Sequence, residues 1–436
     1  MTFREFKGYH TNRTYDKSDI MSHNTVVNDL GKVEPLNIEA GQSTGKLERR
    51  YEIDWLRLMA VFLLFFFHAA CVFHPWADNY VKNDQLSPLI AYIFVWTLGH
   101  WHMSLFFILA GASTYFALRK RSAAEYIKER VKRLFIPLLF GTLVIIPPLS
   151  YLGLLNHSDY SQSFIAWFPS FFHLQTADLS GFFLGGLTVG HLWFILHLLV
   201  YSLIALPLFL YFNRASGRRW TERIAGILMN PAVLFLLFPV LLALISKFPW
   251  VLGGNPLFYI TFFILGFILM SAQRLMDKVD KYRLILLILG VVPLVGLISI
   301  SATNSWPANV PEWAEVIMDA YRNGFVPWFF ILALLAYGRR LLNFTNRFLK
   351  YFAEGAYPIY ILHQTILMAI AFFVVQWSLG VAAKYAIIVA LSFAGTVLAY
   401  DILVRRTNVT RFLFGMKLRA KNSRDIIPIK PTANQV

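Results

Sequence analysis

The stretch from residue 49 to 76 is almost wholly apolar, yet it contains an acid, a guanidinium and an imidazole. It reads RRYEIDWLRLMAVFLLFFFHAACVFHPW, and the three residues are Asp54, Arg57 and His68. On a helix, Arg57 and His68 lie within about 20° of the same face and about 16 Å apart along the axis. Asp54, three residues before Arg57, is close enough to pair with it. Ionisable residues inside a membrane span are costly and usually face a polar cavity or pathway, which favours a functional role for His68.

Each of these residues also has a structural interpretation. Asp54 could cap the start of the helix, the Arg57 side chain could extend to lipid headgroups, and His68 could be a hydrogen-bonded packing residue.

A second apolar stretch, GHWHMSLFFILAGAS, carries two more imidazoles. His100 and His102 are two residues apart, so they project to different faces of a helix and do not form a chelating pair on it. His102 precedes an apolar run, whereas His100 could contact lipid headgroups. Gly111, Ala112 and Ser113 are small, as the close packing of two helices requires.

Two later segments add further candidates. In GHLWFILH, His191 and Trp193 could bind a saccharide or lie at the membrane interface as aromatic-belt residues do, and His197 is interpreted as a packing residue. In YPIYILHQTIL, Tyr360 and His363 are three residues apart and lie on neighbouring faces of a helix. An imidazole inside a span again favours a site-lining role.

Two smaller features are interpreted structurally. Asp401 and Arg405, four residues apart, are predicted to form a local ion pair. A metal site built from histidines is conceivable by ligand type, but it would lack cysteine, a helical pair of histidines four residues apart and a suitably placed acid. We therefore predict no metal site. The histidines considered are His68, His74, His100 and His102.

The elements that must position these residues are membrane helices. Of the 436 residues, 57% are hydrophobic and only 15% are charged, against about one quarter in a soluble domain. The net charge of +16 falls in short clusters between apolar runs, as charges that orient a membrane protein do, so nucleic-acid binding is disfavoured. Cys71 is the single cysteine, which excludes an intrachain disulfide and a cysteine-based metal site.

A helical span needs about 20 mostly apolar residues, and on that criterion the sequence predicts an all-α polytopic fold of ten spans, with nine or eleven as alternatives. The tenth follows the ninth almost without a break, and the fifth is short. The predicted spans are 53–74, 89–118, 134–152, 191–212, 232–247, 257–274, 283–301, 324–341, 356–377 and 381–404.

The distribution of Lys and Arg predicts the orientation. Loops after even-numbered spans are basic, whereas the long connection 153–190 contains no Lys or Arg. By the positive-inside rule, both termini are cytoplasmic. The aromatic connection 153–190 is then outside, where we expect it to lie on the membrane surface or to cap an outer cavity.

Taken in order, several of these segments resemble the acyltransferase-3 family of membrane acyltransferases. Arg50, Asp54, Arg57 and His68 match its opening motif, and HMSLFFILAG, RVKRLFIP and YPIYILHQTIL are similar to three later motifs. HLWFILHLLVY resembles a branch of the family that succinylates periplasmic glucans. The sequence departs from the family at Ala110, where a serine is usual.

The resemblance implies transfer of an acyl group, succinyl or acetyl, from a cytoplasmic acyl-CoA to a saccharide hydroxyl outside or within the membrane. His68 would be the general base, with a covalent acyl-histidine less favoured. Arg57, oriented by Asp54, would hold the donor or stabilise the oxyanion. The remaining assignments are donor binding for Arg130, Arg133, Tyr360 and His363, and acceptor binding for His102, His191 and Trp193. For Arg130 and Arg133, a role as orienting charges alone stays open.

Composition predicts the two tails, for which the family offers no counterpart at the N-terminal extension, and the resemblance implies the central domain and the partners. Residues 1–48, which lack the apolar core of a signal peptide, are expected to form a flexible cytoplasmic tail, 49–408 the transmembrane acyltransferase domain and 409–436 a basic cytoplasmic tail. The protein is expected in the cell inner membrane. It is expected to hold no permanent cofactor, to use acyl-CoA as co-substrate, and to modify a periplasmic glucan or other saccharide. A homo-oligomer is left open.

Two rival functions use the same residues. A transporter or flippase could bind substrate or relay protons through the intramembrane Arg and His, although the sequence shows no internal repeat. A membrane glycosyltransferase or polymerase is expected to carry a long acidic outer loop, whereas 153–190 contains only Asp159 and Asp178 as acids.

Overall fold

The structure is a computed structural model that describes residues 25–27, 33–35, 50–173, 186–303 and 310–419. The chain divides into two units, Met1–Arg49 and Arg50–Val436. In the first unit, strands β1 (Thr25–Val27) and β2 (Val33–Pro35) pair antiparallel. The rest of the predicted N-terminal tail, and residues 420–436 of the C-terminal tail, lie outside the described residues, so both tails stay predictions.

The second unit is built from helices. In chain order they are α1 (Tyr51–Cys71), α2 (Pro88–Leu118), α3 (Ala123–His157), α4 (Phe164–Trp167), α5 (Gly190–Ile204), α6 (Leu206–Asn213), α7 (Ala215–Leu228), α8 (Val233–Ile245), α9 (Pro256–Ser271), α10 (Gln273–Lys281), α11 (Arg283–Ala302), α12 (Glu312–Leu341), α13 (Arg347–Val374), α14 (Val381–Val404) and α15 (Asn408–Leu413).

Within the described part of the chain, seven continuous helices are long and apolar enough to cross a membrane. They are α1, α2, α3, α11, α12, α13 and α14. Three bent pairs bring the number to as many as ten, namely α5 with α6 at 49°, α7 with α8 at 84° and α9 with α10 at 99°. The all-α membrane fold is confirmed.

The helix that contains the ninth predicted span begins before that span. Hydropathy predicts a start at residue 356, but α13 begins at Arg347, because the side chain of Asn346 accepts a hydrogen bond from the Leu349 N–H and caps the helix. The first turns of α13 are polar and extend beyond the apolar run, so hydropathy alone does not detect them.

The two ends of the bundle differ in charge. One end, called the basic end below, carries the basic segments 119–133, 214–223, 274–283, 339–350 and 405–419; the other is called the opposite end. At the basic end Asp280 accepts two hydrogen bonds from Arg340, at 2.6 Å each, which fasten α10 to α12. The predicted ion pair between Asp401 and Arg405 is confirmed at 3.0 Å.

Small residues allow α2 and α9 to pack at close range. A Cβ added at Gly111 would lie 1.9 Å from the Phe263 carbonyl oxygen, and one added at Gly266 would lie 2.0 Å from that of Ile108. Two backbones can approach this closely only where side chains are absent. The close packing predicted from the small cluster around Gly111 is therefore confirmed.

The described part of the long connection after α3 folds back on that helix. Trp167 in α4 and Phe171 in the following 3₁₀ turn are buried. The Tyr151 hydroxyl of α3 donates to the Gln162 carbonyl at 2.7 Å. Residues 174–185 lie outside the described part of the chain, so whether this connection caps an outer cavity stays a prediction.

Candidate active site

Three imidazoles from three helices meet inside the bundle. The ring centroid of His363 in α13 lies 5.2 Å from that of His68 in α1 and 5.1 Å from that of His191 at the start of α5. His363 has 0% of its surface exposed and His191 7%, whereas His68 is half-buried. His68 is therefore the imidazole of this histidine cluster that a substrate could reach.

Hydrogen bonds fix the tautomers of the two buried rings. His363 Nδ1 bonds the Tyr360 carbonyl, and His191 Nε2 bonds the Ile361 carbonyl at 2.9 Å. Because a carbonyl oxygen only accepts, each of these nitrogens carries the hydrogen, and the other nitrogen of each neutral ring is an acceptor. Both acceptors, His363 Nε2 and His191 Nδ1, are buried without a hydrogen-bond partner among the described residues.

Tyr360 connects α13 to the start of α5. Its hydroxyl donates to the His191 carbonyl, and its ring centroid lies 5.6 Å from that of His363 and 6.0 Å from that of His191. The sequence groups Tyr360 and His363 with the donor-binding residues, whereas the structure packs both beside His191, and His363 beside His68 as well.

Arg57 is held on two sides. Its Nη1 bonds Asp54 Oδ1 at 3.2 Å, which confirms the predicted pairing, and its Nη2 donates to the Ser113 hydroxyl at 2.8 Å. Ser113 Oγ in turn donates to the Leu109 carbonyl at 2.8 Å, so a lone pair of the hydroxyl faces the guanidinium. This arrangement fixes a cation between α1 and α2.

Ser113 is a residue for which the sequence indicates packing alone. A signal for its position exists in the spacing: Ser113 follows His102 by eleven residues, so both lie on one stripe of α2. That stripe faces α1, because His102 Nε2–H donates to the Ala60 carbonyl at 2.7 Å. His102, predicted to bind the acceptor, uses this nitrogen to tie α2 to α1.

The two arginines predicted to meet coenzyme A phosphates point to different places. Arg130 lies over the ring of Tyr126, which is fully buried, with its guanidinium carbon 4.7 Å from the ring centroid. Its Nε and the Tyr357 hydroxyl are buried without a partner in the part of the chain that the structure describes. Arg130 thus faces the interior of the bundle.

Arg133 instead faces the surface of the basic end, where its Nε lies 3.2 Å from Glu129. The two directions diverge because Val131–Phe135 is π-helical, so the three-residue step does not follow α-helical spacing. Arg133 lines a cavity of about 380 Å³ that we call the basic cavity. Its walls also include Glu125, Lys128, Glu129, Lys132, Phe412, Gly415, Met416, Lys417 and Leu418.

Among the described residues, the basic cavity carries more Lys and Arg side chains than acids that could pair with them. Glu129 is engaged by both Arg121 and Arg133, and Glu125 accepts hydrogen bonds from the backbone N–H and the hydroxyl of Ser122. The three lysines that line it have no carboxylate partner among the residues described. They are Lys128, Lys132 and Lys417. The cavity is thus suited to a ligand with several phosphate charges.

Trp193 lies apart from the histidine cluster's centre. Its ring is 5.4 Å from that of Tyr259 and 5.5 Å from that of His197, and a Cβ added at Gly253 would come within 2.9 Å of it. The His197 Nδ1–H donates to the Trp193 carbonyl at 2.9 Å, as expected of a packing residue.

The structure disperses the histidines considered as metal ligands. His74 packs on Trp76 and His100 on Trp96, with ring centroids 5.4 and 6.0 Å apart. Burial, and to a smaller extent the charge of Lys82, lowers the pKa of His74. Over the described ranges, no group of three or more His, Cys, Asp or Glu side chains is arranged to hold a metal ion.

Comparison with known proteins gives one family match and several distant relatives. The model of a family described as an acyltransferase domain matches residues 50–401. The glucans biosynthesis protein C of Escherichia coli (strain K12) is 21% identical over 409 residues, which cover 88% of this chain and 98% of that protein. The protein of the same name from Salmonella heidelberg (strain SL476) is 22% identical over 334 residues, 73% of this chain and 82% of that protein. No solved structure matches the chain.

Proposed function

Since the chain belongs to the acyltransferase-3 family and is a multi-pass membrane acyltransferase, we propose that it moves a succinyl or acetyl group from coenzyme A to a saccharide hydroxyl. In this proposal the donor enters at the basic end and the acceptor at the opposite end. The observation that carries it is the contact between His68 and His363 inside the membrane-spanning bundle, with the fixed cation Arg57 on the same helix as His68.

His68 is the general base. It is the half-buried ring of the histidine cluster, and no hydrogen bond occupies its nitrogens among the residues described, so it can accept a proton. It takes the proton of the acceptor hydroxyl while the oxygen bonds to the thioester carbonyl carbon. The carbon–sulfur bond then breaks, and the coenzyme A thiolate takes up the proton that His68 holds.

His363 positions the base. Ring centroids 5.2 Å apart allow one nitrogen of each imidazole to reach hydrogen-bonding distance. His363 Nε2 is an acceptor without a partner among the described residues, so it suits an N–H of His68. That bond would leave the other His68 nitrogen unprotonated and able to accept the substrate proton. The third group of a catalytic triad orients its histidine in the same way.

The donor lies between the basic cavity and Arg57. The free lysines of the basic cavity suit the phosphates of coenzyme A, and Arg130 and Tyr357 continue the polar surface toward the interior. Arg57, held by Asp54 and Ser113 about 16 Å along α1 from His68, is preorganised to hold the donor between the basic cavity and the base. Acyl-CoA is thus a co-substrate, and no permanently bound cofactor is part of the proposal.

The acceptor and location rest on the relatives. Their names refer to glucan biosynthesis, which supports a glucan or a related saccharide as the acceptor, and their bacterial origin supports the inner membrane. The clusters of Lys and Arg support a cytoplasmic basic end.

A direct assay tests the proposal. Protein reconstituted in liposomes is given acyl-CoA labelled in the acyl group and a gluco-oligosaccharide, and label in the saccharide is counted. His68→Ala is expected to lower the rate by about 10² to 10⁴-fold, the usual contribution of a general base. His173→Ala, which removes an exposed imidazole elsewhere, is the matched control. Undiminished transfer by His68→Ala contradicts the assignment, and movement of unmodified saccharide without acylation favours a transporter.

A further inference from the structure

A row of aromatic rings, called the aromatic row below, lies at the opposite end of the bundle. The ring centroids of Trp76 and Tyr92 are 4.9 Å apart, and those of Tyr92 and Trp96 are 5.2 Å apart. His100 follows, 6.0 Å from Trp96. Tyr92, Trp96 and His100 succeed one another every four residues, so they form a stripe along α2. Trp76, at the start of the row, is 55% exposed.

A small cavity opens beside the middle of the aromatic row. It measures about 180 Å³ and is lined by Trp96, Leu297, Glu315, Met318 and Arg322. The guanidinium carbon of Arg322 lies 5.2 Å from the Trp96 ring centroid. Since one water molecule occupies about 30 Å³ in the liquid, the cavity has room for a group of several heavy atoms, such as one sugar ring.

Two polar groups at this cavity have no partner among the described residues. Arg322 Nη2 bonds Asp319 at 3.4 Å, but Arg322 Nε is buried without a partner among the described residues. Glu315 is exposed and forms no ion pair within the described ranges. A buried N–H without a partner is costly, so the Arg322 Nε–H favours a ligand that accepts a hydrogen bond. The exposed Glu315 carboxylate beside it can accept one from the same ligand.

The aromatic row leads toward the histidine cluster. Gly99, the residue before His100, lies against Phe67, since a Cβ added at Gly99 would be 3.8 Å from that ring. The Phe67 ring centroid is in turn 5.1 Å from that of His68. The row therefore runs from an exposed tryptophan at the end of the bundle to His100, whose neighbour in α2, Gly99, packs against α1 one residue before the proposed base.

We propose that the aromatic row and its cavity form a saccharide-binding subsite that holds the acceptor glycan as it approaches His68. The proposal deepens the proposed function and rests on it. A sugar ring offers an apolar face of C–H groups to aromatic rings, while its hydroxyls both donate and accept, as Glu315 and Arg322 Nε require. Sites of this kind combine aromatic walls with a few convergent polar groups.

A membrane-interface role and a lipid headgroup each account for less of this geometry. An interfacial aromatic belt explains Trp76 and Tyr92, but not the unengaged Arg322 Nε or the free Glu315 carboxylate. An anionic headgroup would need net positive charge. Among the described residues, Arg322 and Lys247 share Asp319, and Glu315 supplies a second acid, so these four side chains carry no net charge. A neutral ligand with several hydroxyl groups fits a cavity without net positive charge better.

The test measures saccharide binding and acyl transfer separately. Fluorescently labelled glucose hexasaccharides with α-1,4, β-1,3 or β-1,2 linkages are titrated against the full-length protein in detergent, and KM is determined for the hexasaccharide that binds and for acyl-CoA.

Trp96→Ala is expected to raise both the Kd for the hexasaccharide and its KM as acceptor by roughly fivefold or more, with little change in the KM for acyl-CoA. Glu315→Gln, a nearly isosteric change at an exposed residue, is expected to weaken binding and to change stability by less than about 1 kcal/mol. Trp377→Ala removes a tryptophan that is 46% exposed at the same end and outside the aromatic row, and should leave both constants unchanged.

The outcomes separate the subsite from the proposed function. If the wild-type protein transfers acyl groups but binds no hexasaccharide, or if Trp96→Ala and Glu315→Gln behave like Trp377→Ala, the subsite is wrong and the function stands. If the hexasaccharide binds in a manner that depends on Trp96 and Glu315 but is never acylated, the subsite stands and the function is wrong.

Discussion

The guanidinium of Arg57 donates to the hydroxyl of Ser113, with Nη2 and Oγ 2.8 Å apart, and so joins α1 to α2. Asp54 holds the other side of the same guanidinium at 3.2 Å. A cation fixed from two sides loses little freedom when it binds a polar or anionic part of the donor, so its fixed position favours donor binding. Ser113 lies one turn after Ala110 in α2, and it is the residue of that helix whose hydroxyl contacts Arg57 among the described residues.

Replacing Ser113 tests whether this hydroxyl matters for catalysis. Ser113→Ala removes one of the two side-chain hydrogen bonds that Arg57 makes among the described residues. We expect acyl transfer, measured as kcat/KM for acyl-CoA, to fall by about tenfold, the equivalent of one hydrogen bond to a charged group. Ser113→Thr keeps the hydroxyl and should retain most of the activity. Equal rates for Ser113→Ala and the wild type would show that Asp54 is sufficient to hold Arg57.

A second prediction concerns His363, which the sequence places with the donor residues and the structure places beside His68. If His363 positions the base, His363→Ala lowers kcat strongly and leaves KM for acyl-CoA nearly unchanged. His363→Gln, whose amide oxygen can still accept a hydrogen bond, should recover part of kcat. A rise in KM for acyl-CoA with kcat unchanged would instead support the donor-binding role.

The sequence predicts the helices and the local pairs well, because both depend on short-range patterns. Apolar runs of membrane length give the spans, and a three-residue step brings Arg57 to Asp54. The small cluster around Gly111 likewise predicts a close helix contact without naming the partner, α9.

The gathering of distant residues could not be predicted in this way. His68, His191 and His363 each appear in the sequence as an isolated imidazole, and only the packing of α1, α5 and α13 brings them together. The separation of Arg130 from Arg133 follows from a π-helical turn, for which the sequence gives no periodic signal.

A third prediction concerns the basic cavity. Lys132→Glu or the double variant Lys128→Ala with Lys417→Ala should raise KM for acyl-CoA. Added salt should also raise this KM in the wild-type protein, because it screens the attraction between the lysines and the phosphates. Acyl-pantetheine lacks the nucleotide phosphates, so its KM should not respond to these changes. Lys350→Ala, which removes an exposed lysine elsewhere at the basic end, is the control. If the donor with phosphates and the donor without them respond alike, the cavity does not bind the phosphates.

The last prediction tests the packing that supports the site. A Cβ added at Gly111 would lie 1.9 Å from the Phe263 carbonyl oxygen, so Gly111→Ala forces α2 away from α9. Because α2 also carries His102 and Ser113, this movement should both lower the midpoint of thermal unfolding in detergent and reduce acyl transfer.

Gly226 and Gly296 serve as controls, because they also lie in helices but a Cβ added there meets nothing within 4 Å. Alanine at either position should preserve activity and hold or raise the midpoint, since Ala favours a helix over Gly by about 0.8–1 kcal/mol. A Gly111→Ala protein as stable as these two controls would mean that the contact between α2 and α9 is looser than the structure shows.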